Sequence, residues 1–99
     1  MQAQYILNEA LKLDTNLLEL LLQDIDIVPQ ECLKLASDPR VANLRHLDLS
    51  CNPIGFKGLC NLLQAKTSNL GKLEHLELYS CELENDFKKG TKFKHLKLD

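Results

Sequence analysis

Two stretches of this chain carry the same spacing of apolar residues, 29 positions apart. Leu44, Leu47, Leu49, Asn52 and Ile54 are matched one for one by Leu73, Leu76, Leu78, Cys81 and Leu83. A repeat of this length marks stacked supersecondary units, none of which can bury its apolar face alone. Within each unit, Leu47 and Leu49 stand two apart. They therefore point to one face of a short strand, and their neighbours point to the other. The position held by Asn52 lies where the chain leaves the strand and backbone groups need partners. An asparagine amide supplies these well, and the thiol of Cys81 does so more weakly. Gly58 then precedes Leu59, Leu62 and Leu63, whose spacing is helical and points inward onto the strand.

Weaker copies flank the two clear ones. Leu17, Leu20, Leu22 and Ile27 repeat the pattern 27 residues before Leu44, with Ile25 at the asparagine position and Cys32 and Leu35 on the following helix. Phe93, Leu96 and Leu98 resume it after only 20 residues. Pro29 suits the first turn of the upstream helix, and Asp38-Pro39 stops it. Ile6-Leu7 lies 56 residues before Leu62-Leu63, so a leading helix or cap is expected there. The polar stretch 82–92 is expected to be a loop or single turn.

The spaced leucines with an Asn or Cys at the turn resemble leucine-rich repeats of the ribonuclease-inhibitor-like class, which also occur in many cytosolic sensor proteins. The resemblance covers most of the chain. It implies an α/β fold, a short right-handed solenoid with parallel strands on the concave side and helices on the convex side. One domain over residues 1–99 is expected: a leading helix or cap (1–16), repeats at 17–43, 44–72 and 73–92, and a terminal strand (93–99). It also implies a non-catalytic protein-binding module. Inhibition of a ribonuclease is not implied, because so few repeats cannot wrap a partner as long stacks do.

If the leucines face inward, the residues between them form columns on the concave face, with neighbouring strands about 4.8 Å apart. The first column reads Glu19, His46, His75, His95, and the second Leu21, Asp48, Glu77, Lys97. The third reads Gln23, Ser50, Tyr79. The expected binding residues are Glu19, His46, Asp48, Ser50, His75, Glu77, Tyr79, His95 and Lys97. Tyr79 is the aromatic of this face, a residue type favoured at binding hot spots. All three histidines of the chain fall in one column. Such a column can respond to pH or take zinc or nickel, with Asp48 or Glu77 assisting. A plain solvated polar position copied by duplication is the simpler expectation, so no metal and no cofactor are assigned.

Charge is uneven. Residues 1–39 carry seven acids against Lys12 and Lys34, whereas residues 86–99 carry five lysines against Asp86 and Asp99. Solvated ends explain this, and so does a preference for head-to-tail contact or an acidic partner. The last strand is expected to be uncapped, which allows pairing with a second copy and hence a homo-oligomer. A structural or self-assembling fragment of a larger protein is the rival to the binding module.

Other classes are disfavoured. The apolar run Leu20, Leu21, Leu22 is far below the ~20 residues of a membrane span, and the first residues do not read as a secretory signal. The four cysteines form no CxxC pair, so free thiols and a cytoplasmic location are expected. Gly55 and Gly58 lack the spacing of a phosphate loop. Cys51 and His46 are five residues apart, an odd separation that points strand side chains opposite ways, so no nucleophile pair is assigned. Cys32 and Cys60 are expected to fill the core from the helices. The lysines near the end are interleaved only with Phe87 and Phe93, and nucleic acid is not an expected partner.

Overall fold

A computed structural model describes residues 2–13, 16–63, 66–83 and 97–98. The elements run helix α1 (Gln2–Leu13), strand β1 (Glu19–Leu21), helix α2 (Pro29–Ser37), a 3-10 turn (Pro39–Val41), strand β2 (His46–Asp48), helix α3 (Gly55–Leu63), strand β3 (His75–Glu77) and the two-residue strand β4 (Lys97–Leu98). Pro29 opens α2 behind Val28, and Asp38 ends it in an extended conformation. The Asp38 carboxylate then accepts the Arg40 backbone N–H to start the 3-10 turn. Helix α3 begins three residues before Gly58. Gly55, Phe56 and Lys57 bury no side chain fully, so its first turn leaves no apolar signature in the sequence.

The strands form one parallel sheet in the order β1-β2-β3-β4. Leu20 pairs with Leu47 and Leu47 with Leu76, which are the 27- and 29-residue offsets of the sequence. These leucines are buried against the helical layer, where α2 packs on α3 and α1 packs on α2. Leu49, Leu78, Ile54 and Leu62 complete the same core. The chain is therefore a small α/β protein with its helices covering one face of a parallel sheet. No helix among the described residues is long and apolar enough to cross a membrane.

The fourth strand corrects one expectation. Lys97, not His95, stands in register with His75, and Leu98 pairs with Leu76. A shift of two residues keeps the same set of side chains on each face, so alternation alone cannot choose between the two registers. His95 lies outside the described residues, as do residues 84–92, where a loop or single turn was expected, and the chain end expected to be uncapped.

Between units, the turns are tied together by buried polar groups. Asn52 Oδ1 accepts the backbone N–H of Ile25 and of Ile27, each at 3.0 Å. Its Nδ2 donates to the carbonyls of Leu22 at 2.8 Å and Leu49 at 2.9 Å. One unit further on, Cys81 Sγ donates to the Leu49 carbonyl at 3.1 Å. The thiol thus repeats the donor half of what the amide does and lacks its acceptor half. Asp24, Cys51 and Ser80 occupy corresponding places in the three turns and all take positive φ (52°, 62° and 56°).

Gly58 lets α3 approach closely. A Cβ there would lie 2.7 Å from Ile54 Cβ and 3.3 Å from Cys32 Sγ. Two outcomes are expected in denaturant unfolding of the full chain. Gly58→Ala overpacks this contact and lowers stability by about 1–3 kcal/mol. Asn52→Ala strands the buried backbone donor of Ile27 and the part-buried one of Ile25 and costs about 2–4 kcal/mol.

Candidate functional site

The sheet face opposite the helices is open. Alternation along each strand puts Glu19 and Leu21, His46 and Asp48, and His75 and Glu77 on it. Parallel pairing then sets Glu19 beside His46 and His46 beside His75, and sets Leu21 beside Asp48 and Asp48 beside Glu77. The two imidazoles lie face to face, with ring centroids 4.7 Å apart and planes within 8°.

His46 is held from both sides. Its Nδ1 lies 2.8 Å from Glu19 Oε2, and its Nε2 lies 3.1 Å from Glu77 Oε2. The other oxygen of Glu77, Oε1, lies 4.0 Å from His75 Nε2. Glu77 therefore faces both rings, with one carboxylate oxygen toward each. Partial burial works against the His46 imidazolium, but the hydrogen bonds and charges of Glu19 and Glu77 outweigh it and raise the pKa above the usual histidine value.

Asp48 and Ser50 do not present themselves as expected. Each is only 4 % exposed. Asp48 accepts the Ser50 backbone N–H at 2.9 Å and the Gln23 side-chain amide. Ser50 Oγ accepts the Tyr79 backbone N–H at 3.1 Å. Both side chains are thus spent on joining one turn to the next and are covered by it. Burial pushes the Asp48 carboxyl up, but hydrogen bonds from the Ser50 amide and hydroxyl bring it below the ordinary aspartate value.

Of the other expected residues, Glu19 is exposed, and His46, His75 and Glu77 are half-buried. Tyr79 is 58 % exposed. Lys97 takes the register place given to His95, and its strand neighbour is His75 rather than Glu77. Two residues that the expected set omitted also matter: Leu21, 53 % exposed among these polar groups, and Gln23, which reaches Asp48. Both were legible as members of the columns.

The cysteines are free, with no disulfide among the described residues. Cys32 is buried on the inner face of α2 and Cys81 at its turn, whereas Cys60 is only half-buried on α3. Burial pushes the Cys32 thiol up to about 12 and raises that of Cys81. Neither is a thiolate near neutral pH, so both behave as packing groups. No protein-family model, curated protein or solved structure matches the chain.

The raised His46 pKa has a definite sign. Protonated His46 is better satisfied folded than unfolded, so its contribution is complete below the unfolded value of 6.5 and is lost as pH rises through the folded value. The groups facing it are Glu19, Glu77 and His75. Thermal unfolding followed from about pH 6 to about pH 8 should show declining stability. The variant His46→Gln should show a shallower decline, and an identical slope would mean that His46 does not contribute.

Proposed function

We propose that the chain is a short right-handed solenoid of leucine-rich repeats, of the ribonuclease-inhibitor-like class, that binds another protein through the concave face of its sheet and catalyses nothing. The observation that supports this most is the open face itself. Leu21 and Tyr79 project from it with about half their surface in water, beside the carboxylates of Glu19 and Glu77 and the two stacked imidazoles. Apolar and aromatic anchors ringed by polar groups are the composition of a binding hot spot. The carboxylates favour a partner that brings basic groups. The four free thiols suit a reducing compartment, the cytoplasm.

A second reading, self-association, draws on the sheet edge. Strand β1 ends the sheet, with Leu18 and Leu21 exposed along it. The acidic first third and basic end of the sequence would suit head-to-tail contact.

The test is quantitative capture of proteins by the full chain, its Leu21→Ser/Tyr79→Ala variant and a control, Phe56→Ser, which changes an exposed residue of α3. The face variant should lose about 10-fold or more in affinity for a specific partner while the control retains it. Equal retention by the face variant would overturn the binding-face reading. Sedimentation of the chain alone checks the second reading, and a monomer at every concentration would remove it.

A further inference from the structure

We propose that His46, His75 and Glu77 form a binding site for a divalent late first-row metal ion, with zinc as the representative ion. The three side chains come from two neighbouring strands, and their donor atoms all lie within 4.8 Å of one another. Imidazole nitrogen and carboxylate oxygen are the donor types that zinc and nickel accept. Two nitrogens and one oxygen on one side of an ion leave a fourth position toward solvent, where water completes a tetrahedron.

The fit can be checked against bond lengths. Ligand atoms about 2.0–2.1 Å from zinc stand about 3.3 Å apart around a tetrahedron. His46 Nε2 and Glu77 Oε2 are already 3.1 Å apart. His75 Nε2 lies 4.0 Å from the other carboxylate oxygen, Oε1, so the carboxylate must turn to bring one oxygen within reach of both nitrogens. The widest separation among the donors must close by about 1.5 Å. All three side chains are half-buried on an open face, so rotation about their side-chain bonds and a tilt between the stacked rings can supply this movement.

An independent feature points the same way. Glu19 Oε2 lies 2.8 Å from His46 Nδ1, the ring nitrogen that faces away from Glu77. A carboxylate that accepts Nδ1–H directs the Nε2 lone pair at the ion and raises its basicity. This is the outer-shell arrangement found behind many metal-bound histidines. The ion then sits between His46 Nε2 and Glu77, and any proton held there passes to solvent. Asp48, buried beside Glu77 and also in contact with it, is committed to the Ser50 amide and to Gln23, so it is not a ligand here. The site stands on this geometry and does not depend on the protein-binding reading.

The experiment titrates zinc into the full chain and follows heat together with the imidazole NMR signals. Cobalt substitution then reports the donor atoms, because thiolate ligands give an intense charge-transfer absorption that nitrogen and oxygen ligands lack. One ion per chain is expected, shifting the His46 and His75 ring signals without thiolate absorption. His75→Gln and Glu77→Gln should each weaken binding about 10-fold or more, and Glu19→Gln, which removes no ligand, about 10- to 100-fold. Circular dichroism of each variant separates lost ligation from lost folding, and the wild-type ring shifts stand whatever the variants do. No heat and no ring shifts would overturn the site. Affinity unchanged in folded His75→Gln and Glu77→Gln would also overturn it, as would cobalt bound through thiolate.

Discussion

A slip of one residue in any of the first three strands would turn its leucine (Leu20, Leu47 or Leu76) toward water and bury Glu19, His46 or His75 in its place. That exchange is prohibitive, since an unpaired charge or imidazole would replace a packed leucine. Register is therefore set by the apolar rows, and everything on the open face inherits it. His46 lies on His75, and Glu77 faces both rings, because the leucines beneath them are already aligned.

The turns reinforce the same alignment with hydrogen bonds. No buried side-chain nitrogen or oxygen among the described residues lacks a partner. Asn52 serves two backbone donors and three carbonyls from within the core. Asp48 and Ser50 do similar work nearer the surface, each holding a backbone N–H of a turn. The open face thus has a hydrogen-bonded polar floor, from which Leu21, Tyr79, Glu19 and the histidines reach outward.

Several parts of this arrangement are legible in the sequence. The 29-residue offset placed Leu47 beside Leu76, and the period of two separated the leucine face from the histidine face. Pro29 and Asp38-Pro39 bounded a helix through local backbone chemistry alone. The pairing of Asn52 with Cys81 identified a turn position, although not that each would reach into the preceding unit. Exposure was less legible. Alternation says which way a strand residue points, but Asp48 and Ser50 point outward and are nonetheless covered, because Gln23 and Tyr79 reach them from neighbouring turns distant in sequence.

Local pattern thus determined most of the elements, and the inward rows and column membership over the first three strands, since each depends on spacing within a few residues or on one repeated offset. The packed structure alone decided the depth of each column residue and which donor met which acceptor. It also decided the pairing of Lys97, rather than His95, with His75. A two-residue shift preserves every face, so only the hydrogen bonds between actual strands distinguish the alternatives.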